Sequence, residues 1–133
     1  ALTLLLDSLL KTYRIDPERV YLAGYSMGGE GAWFLAYERP DRFAAVAPMS
    51  GYGNPLWADH FRGLPVWAFH GGKDALIPAS NSEAMVEAIR RNGGDGRLSI
   101  DPERGHAPPT REEEAALLRW FLEHRRSPRP GPE

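Results

Sequence analysis

Residues 20–36 read VYLAGYSMGGEGAWFLA. A short apolar run of strand formers enters a glycine-rich turn around a single serine, and a stretch of helical period follows it up to Pro40. A strand that turns this sharply into a helix forces the residue between them, Ser26, into a strained backbone conformation. Gly24 and Gly28, two residues away on either side, let the two segments approach closely. The product is an exposed hydroxyl at a helix N-terminus, where backbone N–H groups and the helix dipole favour a developing negative charge. The competing reading is an ordinary glycine turn. A predicted strand before the serine and a predicted helix after it separate the two, in favour of a nucleophile elbow.

The same alternation extends outward in both directions. Upstream, Leu2, Leu5, Leu6, Leu9, Leu10 and Tyr13 follow the spacing of an amphipathic helix packed on a core, and RIDPERV is a polar turn. Downstream, Phe43 to Pro48 predicts a second strand, Tyr52 to Gly63 a longer loop, and LPVWAFHGG a third strand. A helix then ends at Asn92-Gly93-Gly94, and GRLSIDPERGH predicts a fourth strand. Thr110 and Glu113 have capping-box spacing at the start of a last helix, whose apolar face is Leu117, Leu118, Phe121 and Leu122. Short, continuously apolar strands separated by helices predict an α/β fold, a three-layer α/β/α sandwich with a mostly parallel sheet. One domain over residues 1–126 and a disordered tail at 127–133 complete this reading. Trp33, Trp67 and Trp120 read as core, and Glu30 as helix surface.

The chain has 133 residues, of which 42% are hydrophobic and 26% charged, enough for one domain with a real core. A net charge of −2 gives no electrostatic case for nucleic acid or an anionic membrane as a partner. The absence of cysteine removes disulfides, thiolate metal sites and cysteine nucleophiles, and leaves the compartment open. The leucine-rich opening is a poor signal peptide, because Asp7 interrupts it and neither a basic segment nor a small-residue cleavage site flanks it. It is also too short to span a bilayer. The chain starts inside a helix without a cap, which leads to the expectation that upstream sequence is missing.

In open sheets of this kind function gathers at the carboxyl ends of the strands. Three polar groups lie there: Ser26 after the first strand, Asp74 after the third and His106 after the fourth. Each has a bland reading of its own, as turn serine, surface or capping aspartate, and loop histidine. Together they have the order Ser, Asp, His of a hydrolase triad. The chemistry needs all three, since a serine hydroxyl is a weak nucleophile without a base, and a buried carboxylate fixes that base's tautomer. His70, Asp74 and His106 can also be drawn as a metal site, but the segment carrying two of them is a Gly-Gly loop rather than a helix; no metal and no cofactor are expected. His60 and His124 read as solvated, the latter near a helix C-terminus that favours a cation.

The stretches YLAGYSMGGEGAWFLAYERPDRFAAVAPMSG, LPVWAFHGGKDALIP and GHAPPTREEEAALLRWFLEHRR resemble the α/β-hydrolase superfamily. Within it, the chain is most similar to carboxylesterases and predicted peptidases related to phospholipase/carboxylesterase, feruloyl esterase and polyhydroxyalkanoate depolymerase proteins. The resemblance implies Ser26 as nucleophile, Asp74 as acid, His106 as base and the N–H of Met27 as one oxyanion donor. It also implies that this chain supplies what corresponds to the fifth through eighth strands of the fold, without the loop that gives the second oxyanion donor. Tyr52, Trp57 and Phe61, on the loop leaving the second strand, are candidates to line an acyl pocket. The expected function is a serine esterase acting on small or short-acyl carboxylic esters. The rival is an incomplete hydrolase domain, inactive alone, that serves as an assembly or binding module. An apolar first strand with one bare edge predicts self-association, through that edge or the face of the first helix.

Overall fold

Ten short elements follow one another with little chain between them. In the computed structural model, residues 1–126 are described; the tail expected at 127–133 lies outside them. Four strands, β1 (Tyr21–Tyr25), β2 (Ala45–Met49), β3 (Val66–Gly71) and β4 (Gly96–Asp101), alternate with helices α1 (Leu2–Thr12), α2 (Met27–Glu38), α3 (Ser80–Arg91) and α4 (Arg111–Leu122). Two 3₁₀ segments, Pro40–Arg42 and Pro55–Phe61, fill the remaining connections. The second lies inside the expected loop, where Pro55 suits the first helical position and Asn54 Oδ1 accepts from Leu56 N at 3.0 Å.

The strands form one sheet in the order β1-β2-β3-β4, every pair parallel. Spatial order equals chain order, so each right-handed crossover steps in the same direction and lands on the same face. That face carries α2, the Pro55–Phe61 segment and α3, packed around Trp33, Phe61, Met85 and Ile89 against Val46, Val66 and Ala68. Among the described residues α4 is the last element. It covers the opposite face, with Leu117, Trp120 and Phe121 on Ala45, Ala47, Met49, Trp67 and Phe69. Even-numbered positions of β2 and β3 thus face one layer and odd-numbered positions the other, and both strands are buried along their whole length. The three layers expected from the sequence are present, and the three tryptophans read as core are 0–9% exposed.

The local signals hold at both predicted helix ends. Gly93 takes φ +80° after α3, and Gly94 N–H reaches back to Ile89 O at 2.9 Å. Thr110 and Glu113 make both halves of their capping box at α4. The first helix behaves differently. Leu6 reaches the core beside Val20, Leu22 and Leu35, yet no residue of α1 is fully buried, and Leu2, Leu4 and Leu5 are 53–72% exposed. The helix is also tied down by Arg42, whose guanidinium lies 2.5 Å from Asp7. Among the described residues β1 pairs only with β2, so its other edge is open. No helix among them is long and apolar enough to cross a membrane.

Candidate active site

The strand register brings the carboxyl ends level: Tyr25 lies opposite Met49, and Gly71 opposite Asp101. Ser26 follows β1 directly and caps α2 with φ 57° and ψ −117°, a region that side chains other than hydrogen disfavour by about 1–3 kcal/mol. Its N–H is held by Met49 O at 2.8 Å and its carbonyl accepts from Glu30 N–H at 3.0 Å, so the turn is fixed on both sides. The glycines divide the steric work differently from the sequence reading. A Cβ at Gly24 would collide with the carbonyl of Gly28, and one at Gly29 with the carbonyl of Met49. A Cβ at Gly28 itself would meet open space. The close approaches are therefore β1 against α2 at Gly24, and α2 against the end of β2 at Gly29. The N–H of Met27 opens α2 and has no acceptor within the helix; the Met27 side chain is 82% exposed.

Asp74 and His106 come to this turn from the ends of β3 and β4. Ser26 Oγ lies 2.8 Å from His106 Nε2, and His106 Nδ1 lies 2.7 Å from Asp74 Oδ2. A carboxylate only accepts, so Nδ1 carries the proton and Nε2 is left to accept from the serine hydroxyl. The His106 ring leans on Tyr25, with centroids 5.3 Å apart. The Asp74 side chain is fully buried. Burial works against its charge, but hydrogen bonds from Ile77 N–H, His106 and Leu76 N–H outweigh that and hold its carboxyl below the ordinary value. Both backbone donors reach Oδ1 at 2.9 Å, which leaves Oδ2 to the imidazole.

The loops carrying Asp74 and His106 are clamped together. Gly72 N–H donates to Asp101 O at 2.7 Å and Lys73 N–H to Arg104 O at 2.9 Å. A Cβ at Gly71 would strike the carbonyls of Arg104 and Gly105, which is why glycine ends β3. Arg104 in turn binds Glu113 Oε2 at 2.7 Å and Asp101 Oδ2 at 3.1 Å, fastening the loop to the first turn of α4. The hydrogen bond to Glu113 raises the Arg104 pKa further; burial opposes it, and the charges of Glu113 and Asp101 add to it.

Other candidates land elsewhere. Phe61 is 0% exposed and packs edge-on against Trp33 in the core. Trp57 stacks on Tyr37, in the last turns of α2, with centroids 4.7 Å apart. The structure thus puts Phe61 in the core and Trp57 on the last turns of α2, and does not bring either to the Ser26 turn as the acyl-pocket expectation required. Tyr52, 44% exposed, stays near: its neighbour Gly51 abuts Gly29 and Glu30 in the first turn of α2. His60 and His124 are half-buried rather than solvated. His60 Nδ1 bonds Tyr37 O at 2.9 Å, and His124 Nδ1 bonds Trp120 O at 2.8 Å. His70 has both ring nitrogens engaged, Nδ1 with Ser82 Oγ and Nε2 with Ile77 O, each at 2.7 Å, which leaves none for a metal.

Sequence reasoning missed the partners of these groups: Tyr25 behind His106, the Arg104–Glu113 fastening, and the buried His70–Ser82 pair. It also missed Ser50, a second residue with positive φ (50°), at the end of β2. The Ser50-Gly51 step and the Arg104 charge beside a capping-box glutamate were the signals available. Tertiary contacts between distant loops leave no trace in periodicity.

The chain matches the dienelactone hydrolase family over residues 3–120. A putative carboxymethylenebutenolidase of Yersinia pestis is 32% identical, with 89% of this chain and 52% of that protein covered. An acyl-protein thioesterase 1 of Eremothecium gossypii is 28% identical, over 88% of this chain and 54% of its own. Among solved structures, a thermostable esterase superposes with a TM-score of 0.81 at 27% identity, covering 94% of this chain and 36% of that one. The chain thus spans about half the length of the curated relatives it matches. The chain belongs to the dienelactone hydrolase family, and the relatives it matches are esterase-like hydrolases.

Proposed function

We propose that this chain is the catalytic part of a serine carboxylic-ester hydrolase acting on small or short-acyl esters, with Ser26 as nucleophile on an elbow turn, His106 as base and Asp74 as acid. The observation that carries the reading is the continuous hydrogen-bonded line from Ser26 Oγ through His106 to Asp74, at 2.8 and 2.7 Å. Ser26 Oγ bonds to the ester carbonyl carbon while its proton passes to His106 Nε2. Negative charge builds on the carbonyl oxygen, and the N–H of Met27, which opens α2 without an acceptor in the helix, is the donor this reading assigns to it. The bond to the alcohol oxygen then breaks, and His106 returns its proton to that leaving group. A water loses a proton to His106 and attacks the acyl-enzyme, and Ser26 recovers its proton as the acid departs. Asp74 keeps Nδ1 protonated and stabilises the imidazolium. Met27, which follows Ser26 directly, exposes an apolar side chain beside the charged Glu30 of the same helical turn, and the apolar side chain suits an uncharged acyl group.

The test is mass spectrometry after treatment with a fluorophosphonate. An adduct on Ser26, absent in Ser26→Ala, supports the reading, and hydrolysis of short nitrophenyl esters then measures turnover. A folded chain that takes no label sinks it and favours the binding or assembly reading.

A further inference from the structure

Among the described residues, His70 is the one buried titratable side chain that the proposed mechanism leaves idle. Its side chain is 0% exposed, and it stands at the end of β3, four residues before Asp74. The Ile77 carbonyl can only accept, so the bond of 2.7 Å to it requires a proton on Nε2. The Ser82 hydroxyl, from the first turn of α3, then gives its proton to Nδ1 at 2.7 Å. Both rings that border Asp74 therefore have an assigned orientation. Nε2 of His70 also lies 3.3 Å from Asp74 Oδ2, the oxygen that accepts the hydrogen bond from His106 Nδ1–H.

The segment between the two histidine contacts is short. Ile77 gives its N–H to Asp74 Oδ1 and its carbonyl to His70. Leu76 gives its N–H to the same carboxylate oxygen. Fixing the Ile77 peptide from the carbonyl side thus fixes the donor that sets the rotation of the Asp74 carboxylate. Without His70, the Ile77 carbonyl would be a buried acceptor lacking a partner, and the loop would turn to satisfy it.

We propose that His70, oriented by Ser82, is a positioning residue for Asp74: through the Ile77 peptide it holds Oδ1 on the backbone and presents Oδ2 to His106. This rests on the proposed roles of Asp74 and His106, but its first readout does not need turnover.

That readout is the proton NMR spectrum of the folded chain. The His106 Nδ1–H bonded to a carboxylate resonates far downfield, and it is expected to be sharp in the wild type and in His70→Gln, whose amide nitrogen replaces the Nε2 donor. It is expected to broaden or vanish in His70→Leu, and to weaken in Ser82→Ala. Nitrogen shifts of the His70 ring should give a protonated Nε2 and an unprotonated, hydrogen-bonded Nδ1. The second readout is the rate of fluorophosphonate labelling of Ser26, expected to fall about tenfold to a hundredfold in His70→Leu and to recover in His70→Gln. A His70→Leu chain with an unchanged downfield proton overturns the proposal, and so does a wild-type His70 ring protonated at Nδ1 alone. If His70→Leu does not fold, Ser82→Ala and the wild-type ring shifts decide it. A wild type with the expected NMR signature but no label would instead count against the esterase reading alone.

Discussion

Ser26 and Asp74 are both residues whose role is written in a departure from the ordinary. The backbone of Ser26 sits where glycine is at ease. Ser26→Gly should therefore remove both the hydroxyl and the strain: labelling disappears, while the melting temperature rises by a few degrees, for a net gain of about 1 kcal/mol after glycine's extra chain entropy. Asp74 has its pKa depressed in the folded chain. The sign follows from linkage: its stabilising contribution is complete above the unfolded-state value of about 3.9 and is lost as pH falls through the folded value. Denaturant midpoints of the wild type should thus fall as pH drops through the low acid range, and those of Asp74→Asn should fall less steeply there. Equal slopes for the two would mean that the carboxylate is not held as described.

At the scale of elements, the site depends on where strands, helix and loops touch through bare backbone. Gly24 meets the Gly28 carbonyl, whereas Gly28 faces open space. Gly24→Ala should cost about 1–3 kcal/mol by forcing β1 from α2, and Gly28→Ala should be neutral or stabilising by up to about 1 kcal/mol, since alanine favours the helix. Chemical denaturation of the two variants checks the contrast. Arg104 joins the His106 loop to α4 through Glu113. Glu113→Gln should slow fluorophosphonate labelling with little loss of stability, because what it loosens is the loop of the proposed base, His106. These contacts also mark how far the sequence could be read. The alternation of apolar runs, the turn around Ser26, the stop at Gly93 and the capping box are local, and each was legible. The placement of Ser26, Asp74 and His106 at strand ends was legible too, because strand ends are predictable once strands are. The packing of Trp57 and Phe61 was not legible because they lie on a 3₁₀ segment, Pro55–Phe61, and no apolar period announces so short an element. The clamp between the Gly71 and Arg104 loops joins segments about thirty residues apart and was invisible for that reason.

For the whole molecule, the open edge of β1 and the exposed leucines of α1 lie on one side. The groove between α1 and β1 is lined by Leu2, Leu6, Leu9, Val20 and Leu22 and lies away from Ser26. An unpaired parallel strand flanked by apolar side chains is a template for another chain, so the self-association expected from the sequence remains our proposal. Light scattering of the isolated chain at micromolar concentration should give more than the monomer mass, and Leu5→Lys combined with Ala23→Lys should reduce it. A monomeric wild type ends that proposal. The strand order has a further consequence, in time rather than in space. Because every described strand pairs with its successor along the chain, this part of the sheet can assemble in chain order as the polypeptide leaves the ribosome, with few distant closures to wait for. The seat of Ser26 needs only β1, α2 and β2, whereas its partner His106 arrives after the last strand. If His106 is the base we propose, the serine is in place during synthesis or refolding before its base arrives, and reactivity toward a fluorophosphonate should lag behind formation of the sheet.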